Sequence, residues 1–316
     1  MRSWWLKTKL RLYRALLRVQ WVIEAGAIFL ILGLCKLLGA DRASALGGAV
    51  AGWLGPKISV SRTARRQLDT AIPGIEEAER ERIVRGVWDN LGRYFTEYAH
   101  LRTLWPKGYD ANLTLPGARV EVSPEVIERF LKIRDDGQPA IIFTGHIGNW
   151  EVLGAGAAHY ELPLAAMFRA PNNPIAEKVL LNIRGAAMGK LIPTGFQAAL
   201  LAARELEAGG HLGMLVDQHF SRGLNIPFFG REAKTSATLA KLARKFQCPV
   251  YGAWAERLDG CRFRIHMTEE FDFSAEYASN DAKAAETSIM ARVTAEIENW
   301  VRARPDQWNW LHRRWR

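Results

Sequence analysis

Residues 143–151 read FTGHIGNWE and stand between a short apolar run and a helical pattern. The run at residues 139–143 is typical of a buried strand, and residues 154–158 continue a helix behind it. Active groups in α/β folds lie outside the carboxyl ends of strands. His146 and Glu151 are separated by four residues across a glycine-containing turn, so the carboxylate could orient the imidazole as a base. The same spacing also fits a histidine beside a glutamate in the first turn of a helix.

Outward from this stretch, short apolar runs alternate with helical periods. This alternation predicts an α/β fold with a mostly parallel central sheet flanked by helices. Ser123 and Pro124 indicate the start of the first of these helices, as an N-cap and a first-turn proline. The predicted strands cover residues 139–143, 162–168, 212–216, 249–255 and 263–267, and the predicted helices cover residues 124–133, 154–158, 176–188, 196–208, 236–246 and 282–302.

Three further segments carry candidate site residues. Arg169 follows the second predicted strand in a proline-stiffened loop, where its guanidinium could bind a phosphate or a carboxylate. Asp217 and Gln218 follow another predicted strand. The run NIPFFG at residues 225–230 could form one wall of an apolar tunnel, and residues 234–236 are expected to open the next helix. Each segment alone also fits a surface residue or an ordinary turn.

The N-terminus combines basic charge with a long apolar stretch. Residues 1–20 contain six Lys or Arg and no acid, and residues 21–40 are interrupted only by Glu24 and Lys36. The uninterrupted core, residues 25–35, is shorter than the roughly 20 residues that span a bilayer. We favour a marginal single-pass anchor with a cytoplasmic N-terminus, or an amphipathic segment in the membrane interface. A secretory signal and a buried core helix are the other two interpretations.

The composition excludes several classes of protein. The 316 residues are 48% apolar and 24% charged, and 43 Lys or Arg against 33 Asp or Glu give a formal net charge of +10. The chain is therefore neither disordered nor collagen-like, and without a multi-span pattern it is no polytopic transporter. The cysteines are too few for a disulfide framework, and no histidines have zinc-site spacing, so no metal is expected. The basic charge favours an acidic partner.

These features divide the chain into three predicted parts. Residues 1–45 are a basic N-terminus with a membrane-anchor helix, residues 46–115 are a helical layer, and residues 116–316 are the α/β core. Pro106 and Pro116 interrupt the helical pattern and indicate the second boundary.

An ordered series of motifs resembles a known family. The series is GHIGNWE at 145–151, FRAPNNP at 168–174, DQ at 217–218, PFFG at 227–230 and QWNWLHRR at 307–314. It is similar to the late acyltransferases of lipid A biosynthesis, of the lauroyl or myristoyl type. The His-x4-Glu pair alone looks like that of glycerolipid acyltransferases in general. The resemblance implies a fold of that type and transfer of an acyl chain from an acyl carrier protein thioester to a hydroxyl on a hydroxyacylated, phosphorylated glucosamine disaccharide.

The same resemblance assigns roles to single residues. It implies that His146 is the general base and that Glu151 is its orienting partner. Arg169 is expected to contact phosphate or to stabilise the oxyanion. No metal and no cofactor is implied beyond the carrier protein thioester, which is a co-substrate. The residues expected to bind substrate are Asn149, Arg169, Asp217 and Gln218.

The expected partners are an acidic acyl carrier protein, an anionic glycolipid acceptor and the inner membrane, with the catalytic domain on the cytoplasmic face. The basic C-terminal run at residues 302–316 could dock either acidic partner, or it could be a solvated tail. An alternative is an acyltransferase for another glycolipid, such as a phosphatidylinositol mannoside, that uses acyl-CoA. A membrane-docked scaffold without turnover is a second alternative. No nucleic acid is expected, because only the charge suggests it.

Overall fold

The α/β fold that the sequence predicts is confirmed. The structure is a computed structural model that describes residues 2–105, 119–162, 164–168, 171, 173–195 and 197–315. It contains a mostly parallel seven-stranded sheet flanked by helices, and a long apolar helix precedes it at the N-terminus. The division into three parts at residues 45 and 115 stays a prediction.

The helices form an N-terminal group and a group that alternates with the strands. Helix α5 begins at Pro124 with Ser123 at the N-cap position, as predicted, although the Ser123 side chain makes no capping hydrogen bond. In the described residues the helices are α1 (Arg2–Leu38), α2 (Ala40–Leu54), α3 (Ser61–Ala71), α4 (Glu77–Glu97), α5 (Pro124–Asp135), α6 (Glu151–His159), α7 (Pro174–Met188), α8 (Ala198–Glu207), α9 (Thr238–Phe246), α10 (Ser274–Ala278) and α11 (Ala282–Ala303), with 3₁₀ turns at Gly55–Lys57, Tyr98–Thr103 and Pro305–Gln307.

The strands form the central sheet and a separate hairpin. They are β1 (Val120–Val122), β2 (Ile141–Thr144), β3 (Leu164–Phe168), β4 (Lys190–Pro193), β5 (His211–Leu215), β6 (Leu224–Phe228), β7 (Arg231–Thr235), β8 (Val250–Arg257) and β9 (Phe263–Met267). The sheet order is β1-β9-β8-β2-β5-β3-β4, and β8 pairs antiparallel with β9 while the other neighbours pair in parallel. The carboxyl ends of β8, β2 and β5 therefore lie side by side.

The core follows from the burial of the central strands. Every residue of β8 is buried, which explains why this strand reads as a nearly continuous apolar run. The ring of Phe143 in β2 stacks 5.7 Å from that of Trp300 in α11, within the largest apolar cluster. A second cluster includes Val152 and Phe263, so α6 also packs on apolar side chains. The loop between β2 and α6 is thus held by packed elements at both ends.

The β6–β7 hairpin was not predicted from the sequence. The register pairs Phe228 with Arg231, so Phe229 and Gly230 form the two-residue turn. Both turn residues have positive φ, 52° and 68°, as a type I′ hairpin turn requires. A phenylalanine rarely adopts that conformation, which conceals the turn in the sequence. Residues 234–236 therefore do not open a helix as expected, because α9 begins at Thr238.

Candidate active site

The carboxyl ends of β2 and β5 bring His146 and Asp217 together. The two strands pair in parallel with Thr144 opposite Leu215, and each polar residue lies two positions beyond its strand's last residue. Parallel pairing places both at the same edge of the sheet. Nδ1 of His146 lies 2.7 Å from Oδ1 of Asp217. The imidazole is thus hydrogen-bonded to a carboxylate that follows the neighbouring strand.

Asp217 is a buried carboxylate with three donors. Its side chain is 2% exposed. Besides the imidazole, the backbone N–H of His146 donates to Oδ2 at 2.7 Å and the indole N–H of Trp308 donates to Oδ2 at 2.8 Å. Burial alone raises the pKa of Asp217, but the charge of His146 and these hydrogen bonds together lower it to about 2. The ionised carboxylate favours the tautomer with a proton on Nδ1, which leaves Nε2 as an acceptor.

We expect the folded state to lose stability below about pH 4, because Asp217 becomes protonated there. Its pKa is about 2 in the fold, against 3.8 for the ordinary side chain. The ionised form therefore favours the folded state: this stabilisation is complete above the unfolded pKa and is lost as the pH falls through the folded one. Urea unfolding at a series of pH values measures this effect. As the pH falls from above 4 to below 2, the free energy of unfolding of wild type should decrease by about 2 kcal/mol more than that of Asp217→Asn. A difference between the two proteins that does not vary with pH would contradict this role.

Two glycines allow the backbone to approach these side chains closely. They lie in residues 145–150, here called the site loop. A Cβ on Gly145 would lie 3.1 Å from Oδ2 of Asp217. Gly148 has a φ of +59°, and a Cβ there would lie 1.8 Å from the carbonyl oxygen of Ala255 in β8. Any other residue at position 148 would be strained and would collide with that strand. Gly148 therefore fixes the site loop against β8.

The closing segment, residues 307–315, forms one side of the site. Ile147 and Trp308 are paired in an antiparallel bridge. The backbone N–H of Asn309 donates to the carbonyl oxygen of His146 at 2.9 Å. Because the buried Trp308 indole also reaches the carboxylate described above, this segment holds both the site loop and the group that orients the imidazole.

Gln218 and Trp150 flank the other edge of the imidazole. The side chain of His146 is 21% exposed. Nε2 of Gln218 lies 3.2 Å from Nε2 of His146, and the Trp150 ring lies edge-on at 4.9 Å between ring centroids. The nitrogen that Asp217 does not hold is therefore at the accessible edge of the ring. A hydroxyl that took the position of the Gln218 amide could donate its proton to that nitrogen.

Glu151 does not contact His146, so the predicted hydrogen bond between them is wrong. Glu151 begins α6 and is buried. It accepts hydrogen bonds from the hydroxyls of Tyr94 and Tyr98, at 2.8 and 2.5 Å, and it forms an ion pair with Arg184 of α7. The start of α6 directs this carboxylate toward α4 and α7, while the imidazole stays at the sheet edge. Glu151 therefore joins helices rather than orienting the base.

The groups around Glu151 keep their protons. Burial and the charge of Glu151 raise the pKa of Tyr94 and Tyr98 well above the ordinary range. Burial lowers the pKa of Arg184, but the neighbouring carboxylate outweighs burial, so its pKa is raised. The tyrosines therefore remain donors and the guanidinium remains charged. The Tyr94 ring also packs 4.3 Å from Trp150, which connects this cluster to the ring beside His146.

Asn149 is not placed to bind substrate, contrary to expectation. It is fully buried in the site loop. Its Nδ2 donates to Oε2 of Glu97 at 2.7 Å, and its Oδ1 accepts the backbone N–H of Glu151 at 3.2 Å. Both ends of the amide are occupied within the protein, so Asn149 positions the first turn of α6.

A buried ion pair lies beneath the site loop and joins α4 to β8. The guanidinium of Arg257 contacts both carboxylate oxygens of Glu97, at 2.5 and 2.9 Å, and the two side chains are 6% and 0% exposed. Ser44 and Asn149 also donate to the carboxylate, at 2.6 and 2.7 Å. Nε of Arg257 donates to Oδ1 of Asn90 at 2.7 Å. Burial raises the pKa of Glu97, but these donors outweigh it and lower the pKa.

Glu97→Gln is expected to lower the free energy of unfolding by about 3–5 kcal/mol, because it leaves a buried guanidinium without its counter-charge. The matched control is Glu79→Gln, which removes an exposed ion pair with Arg82 and should leave the free energy of unfolding nearly unchanged. Chemical unfolding of the three proteins measures both differences. Equal losses of unfolding free energy in the two variants would show that the buried ion pair stabilises the fold no more than the exposed one.

Two predicted substrate contacts have different outcomes. Arg169 lies outside the described residues, so its contact with phosphate or the oxyanion stays a prediction. Arg314 of the basic C-terminal run is buried and cannot dock a partner. Its guanidinium donates to the carbonyl oxygen of Lys234 at 3.0 Å and to Oγ1 of Thr235 at 2.7 Å. Burial lowers the pKa of Arg314 to about 10, and the charge of Asp217 offsets part of that effect.

The PFFG run forms core contacts rather than a tunnel wall. Phe228 and Phe229 are buried. Their rings lie 5.6 Å from Trp308 and 5.8 Å from Trp310 in the closing segment. A cavity of about 120 Å³ lies elsewhere, behind α6, and apolar side chains from α5, α6 and the sheet line it. That cavity is the better candidate space for a hydrocarbon chain.

Several residues that build the site were not singled out from the sequence. Arg184 and Glu97 carry no local signal, because charged residues in amphipathic helices are usually solvated. Arg257 ends a long apolar strand, and that position could have suggested a buried charge. Trp308 appeared only within a family motif. Among the described residues, no group of three or more His, Cys, Asp or Glu side chains is placed to hold a metal ion.

The comparison with protein families covers nearly the whole chain. A family model described as bacterial lipid A biosynthesis acyltransferase matches residues 9–316. No curated protein matches the sequence. The matched range includes the site loop, Asp217 and the closing segment.

Proposed function

The chain belongs to the bacterial lipid A biosynthesis acyltransferase family, and on that premise we propose that it moves a fatty acyl chain from an acyl carrier protein thioester to a hydroxyl of a hydroxyacyl chain on a lipid A precursor. The observation that carries this proposal is the imidazole of His146, which Asp217 holds through Nδ1 while Nε2 stays at the accessible edge. A base held in this way takes a proton from a hydroxyl as the oxygen attacks an acyl carbon.

The proposed step needs no nucleophile from the protein. Nε2 of His146 takes the proton of the acceptor hydroxyl as the hydroxyl oxygen bonds to the thioester carbonyl carbon. The carbon–sulfur bond then breaks, and the imidazolium gives the proton to the leaving thiolate. The products are an ester and a free carrier thiol. Asp217 stabilises the imidazolium between the two proton transfers.

The substrate groups are assigned by charge and position. Gln218 lies beside Nε2 and contacts the bound hydroxyl or the thioester carbonyl in this proposal. Arg169 binds a phosphate of the acceptor or the developing oxyanion. Helix α6 begins at the end of the site loop, and the apolar cavity behind this helix would hold part of an acyl chain. Glu151 and Asn149 act as positioning residues.

The proposed partners follow from the same chemistry. A net charge of +10 suits an acidic carrier protein and an anionic glycolipid. One helix, Lys9–Leu38, is long and apolar enough to cross a membrane by length and composition, which is weak support for membrane association. We place the protein at the inner membrane with its site on the cytoplasmic face, where acyl carrier protein is available.

Two measurements test the proposed reaction. Mass spectrometry of lipid A should show one acyl chain fewer in cells that lack this protein, and the mass difference should identify the chain. Purified protein should transfer acyl groups to the lipid A precursor from acyl carrier protein and much more slowly from acyl-CoA. Unchanged lipid A would overturn the acceptor assignment, and equal or exclusive use of acyl-CoA would overturn the donor assignment.

A further inference from the structure

Helix α1 lies along the body of the protein. A stripe of its side chains at four- and three-residue intervals is buried or half-buried: Leu17, Trp21, Ala25, Ile28, Leu32 and Cys35. Nδ2 of Asn173, at the start of α7, contacts the carbonyl oxygen of Trp21 at 3.0 Å, and Nε2 of His100 contacts that of Cys35 at 2.9 Å. These two contacts are about 21 Å apart along the helix axis. The helix is therefore attached to the body over most of its apolar length.

Within the part of the chain that the structure describes, no element packs against the opposite side of α1. Its apolar side chains there are between 50% and 85% exposed, and they are Val22, Ile23, Phe29, Leu30, Ile31, Leu34 and Leu37. The next helix, which contacts α1, exposes a second set on one face: Leu46, Val50, Trp53 and Leu54. A soluble protein rarely exposes so large an apolar area, so this area marks a lipid or partner surface.

The charges beside this area select an anionic lipid surface. Lys9, Arg11, Arg14 and Arg18 precede the exposed apolar face of α1, and no acid lies among them. The ammonium of Lys57, in the 3₁₀ turn after α2, lies 3.8 Å from the ring centroid of the exposed Trp53 on α2. An aromatic ring beside a cation is typical of the headgroup region of a bilayer. Cations next to an apolar face fit anionic lipid better than an apolar protein partner.

A spanning arrangement disagrees with this packing. A span needs about 20 residues surrounded by lipid or by other membrane segments, but residues 17–35 lie against a body that presents polar groups to them, the Asn173 amide and the His100 imidazole. A single crossing would also put the basic N-terminus and the body on opposite sides of the membrane. With the N-terminus in the cytoplasm, the site would then be separated from any cytoplasmic acyl donor.

We propose that the exposed faces of α1 and α2 form one in-plane docking surface for an anionic lipid leaflet, so that α1 lies in the interface and does not cross the bilayer. Both ends of α1 and the body then stay on the same side. This surface docks the chain whatever reaction His146 performs, so its test does not depend on activity.

The first experiment determines the topology of α1 in the full chain. An epitope before Met1 reports the N-terminus, and Asp259→Cys, in the exposed turn after β8, reports the body. Protease digestion and an impermeant maleimide are applied to spheroplasts and to inverted membrane vesicles. We expect both reporters to react from the same side. Reaction from opposite sides would overturn the in-plane arrangement, whereas reaction of both only from the periplasmic side would overturn the proposed localisation alone.

The second experiment tests the α2 face with a matched pair of variants. Leu46 on α2 and Leu200 on α8 are 55% and 54% exposed. Leu46→Glu should lower the partition coefficient on phosphatidylglycerol–phosphatidylcholine vesicles by about tenfold, because it removes the burial of one leucine in lipid and adds an acid. Leu200→Glu should leave partitioning unchanged. Equal partitioning of both variants would overturn the surface, and so would a Leu46→Glu effect confined to self-association.

Discussion

Replacement of His146 by alanine is expected to reduce acyl transfer by about 10²–10⁴-fold and to leave the fold intact. The side chain is partly exposed, and its contacts are with Asp217, Gln218 and Trp150 at the sheet edge. The loss should appear in kcat, because the imidazole acts on the proton that moves during attack. Steady-state transfer from acyl carrier protein to the lipid A precursor measures it.

The matched control is His159→Ala, an exposed histidine at the end of α6. It should transfer at the wild-type rate. Thermal unfolding of His159→Ala should match wild type, and His146→Ala should lose about 1–3 kcal/mol because the buried Asp217 carboxylate loses one donor. A His146→Ala protein that retains transfer within a few-fold of wild type would place the base elsewhere.

Asp217→Asn is expected to lower kcat by as much as about 10⁴-fold, as tautomer reversal does in a serine-protease triad. The amide oxygen can take the place of Oδ2 and accept from the His146 backbone and Trp308. The amide nitrogen then donates to Nδ1 of His146, which moves the ring proton to Nε2. The imidazole keeps its position but loses its acceptor at the accessible edge.

Glu151→Gln tests whether Asp217 or Glu151 orients the imidazole of His146, since the motif assigned that role to Glu151. The variant leaves Arg184 without its carboxylate, so it should lower the free energy of unfolding by about 3–5 kcal/mol. The folded fraction should keep most of its kcat, and its pH–rate profile should match wild type. Asp217→Asn should instead lower kcat at every pH tested, because the amide leaves Nε2 of His146 protonated. A folded, stable Glu151→Gln protein with no transfer would return the orienting role to Glu151.

The sequence predicts most of the fold because its strands and helices are locally encoded. Apolar runs and amphipathic periods located β2, β3, β5, β8 and β9 within a few residues. The missed strands β1 and β4 have only three and four residues and lie at the two edges of the sheet. An edge strand has a neighbouring strand on one side only, so its sequence need not be as uniformly apolar as that of a central strand. The β6–β7 hairpin was missed because a phenylalanine occupies a turn position that usually takes asparagine or glycine.

The partner of His146 could not be found from spacing alone. Glu151 is near in the sequence, whereas Asp217 is 71 positions away and becomes a neighbour only because β5 pairs with β2. Strand order is a property of long-range packing, and the chain forms β3 and β4 between those two strands. The sequence identified Asp217 at a strand end but as a substrate-binding residue, whereas the structure buries its side chain against His146 and Trp308.

The closing segment has a consequence for shortened forms of the enzyme. Trp308 and its neighbours complete the support of Asp217 and the site loop, although Trp308 lies 91 positions beyond Asp217 in the sequence. A chain cut before residue 307 keeps every strand of the sheet but loses the indole that donates to the carboxylate and the bridge that holds the loop. Such a fragment therefore lacks an assembled reaction centre even where the sheet itself forms.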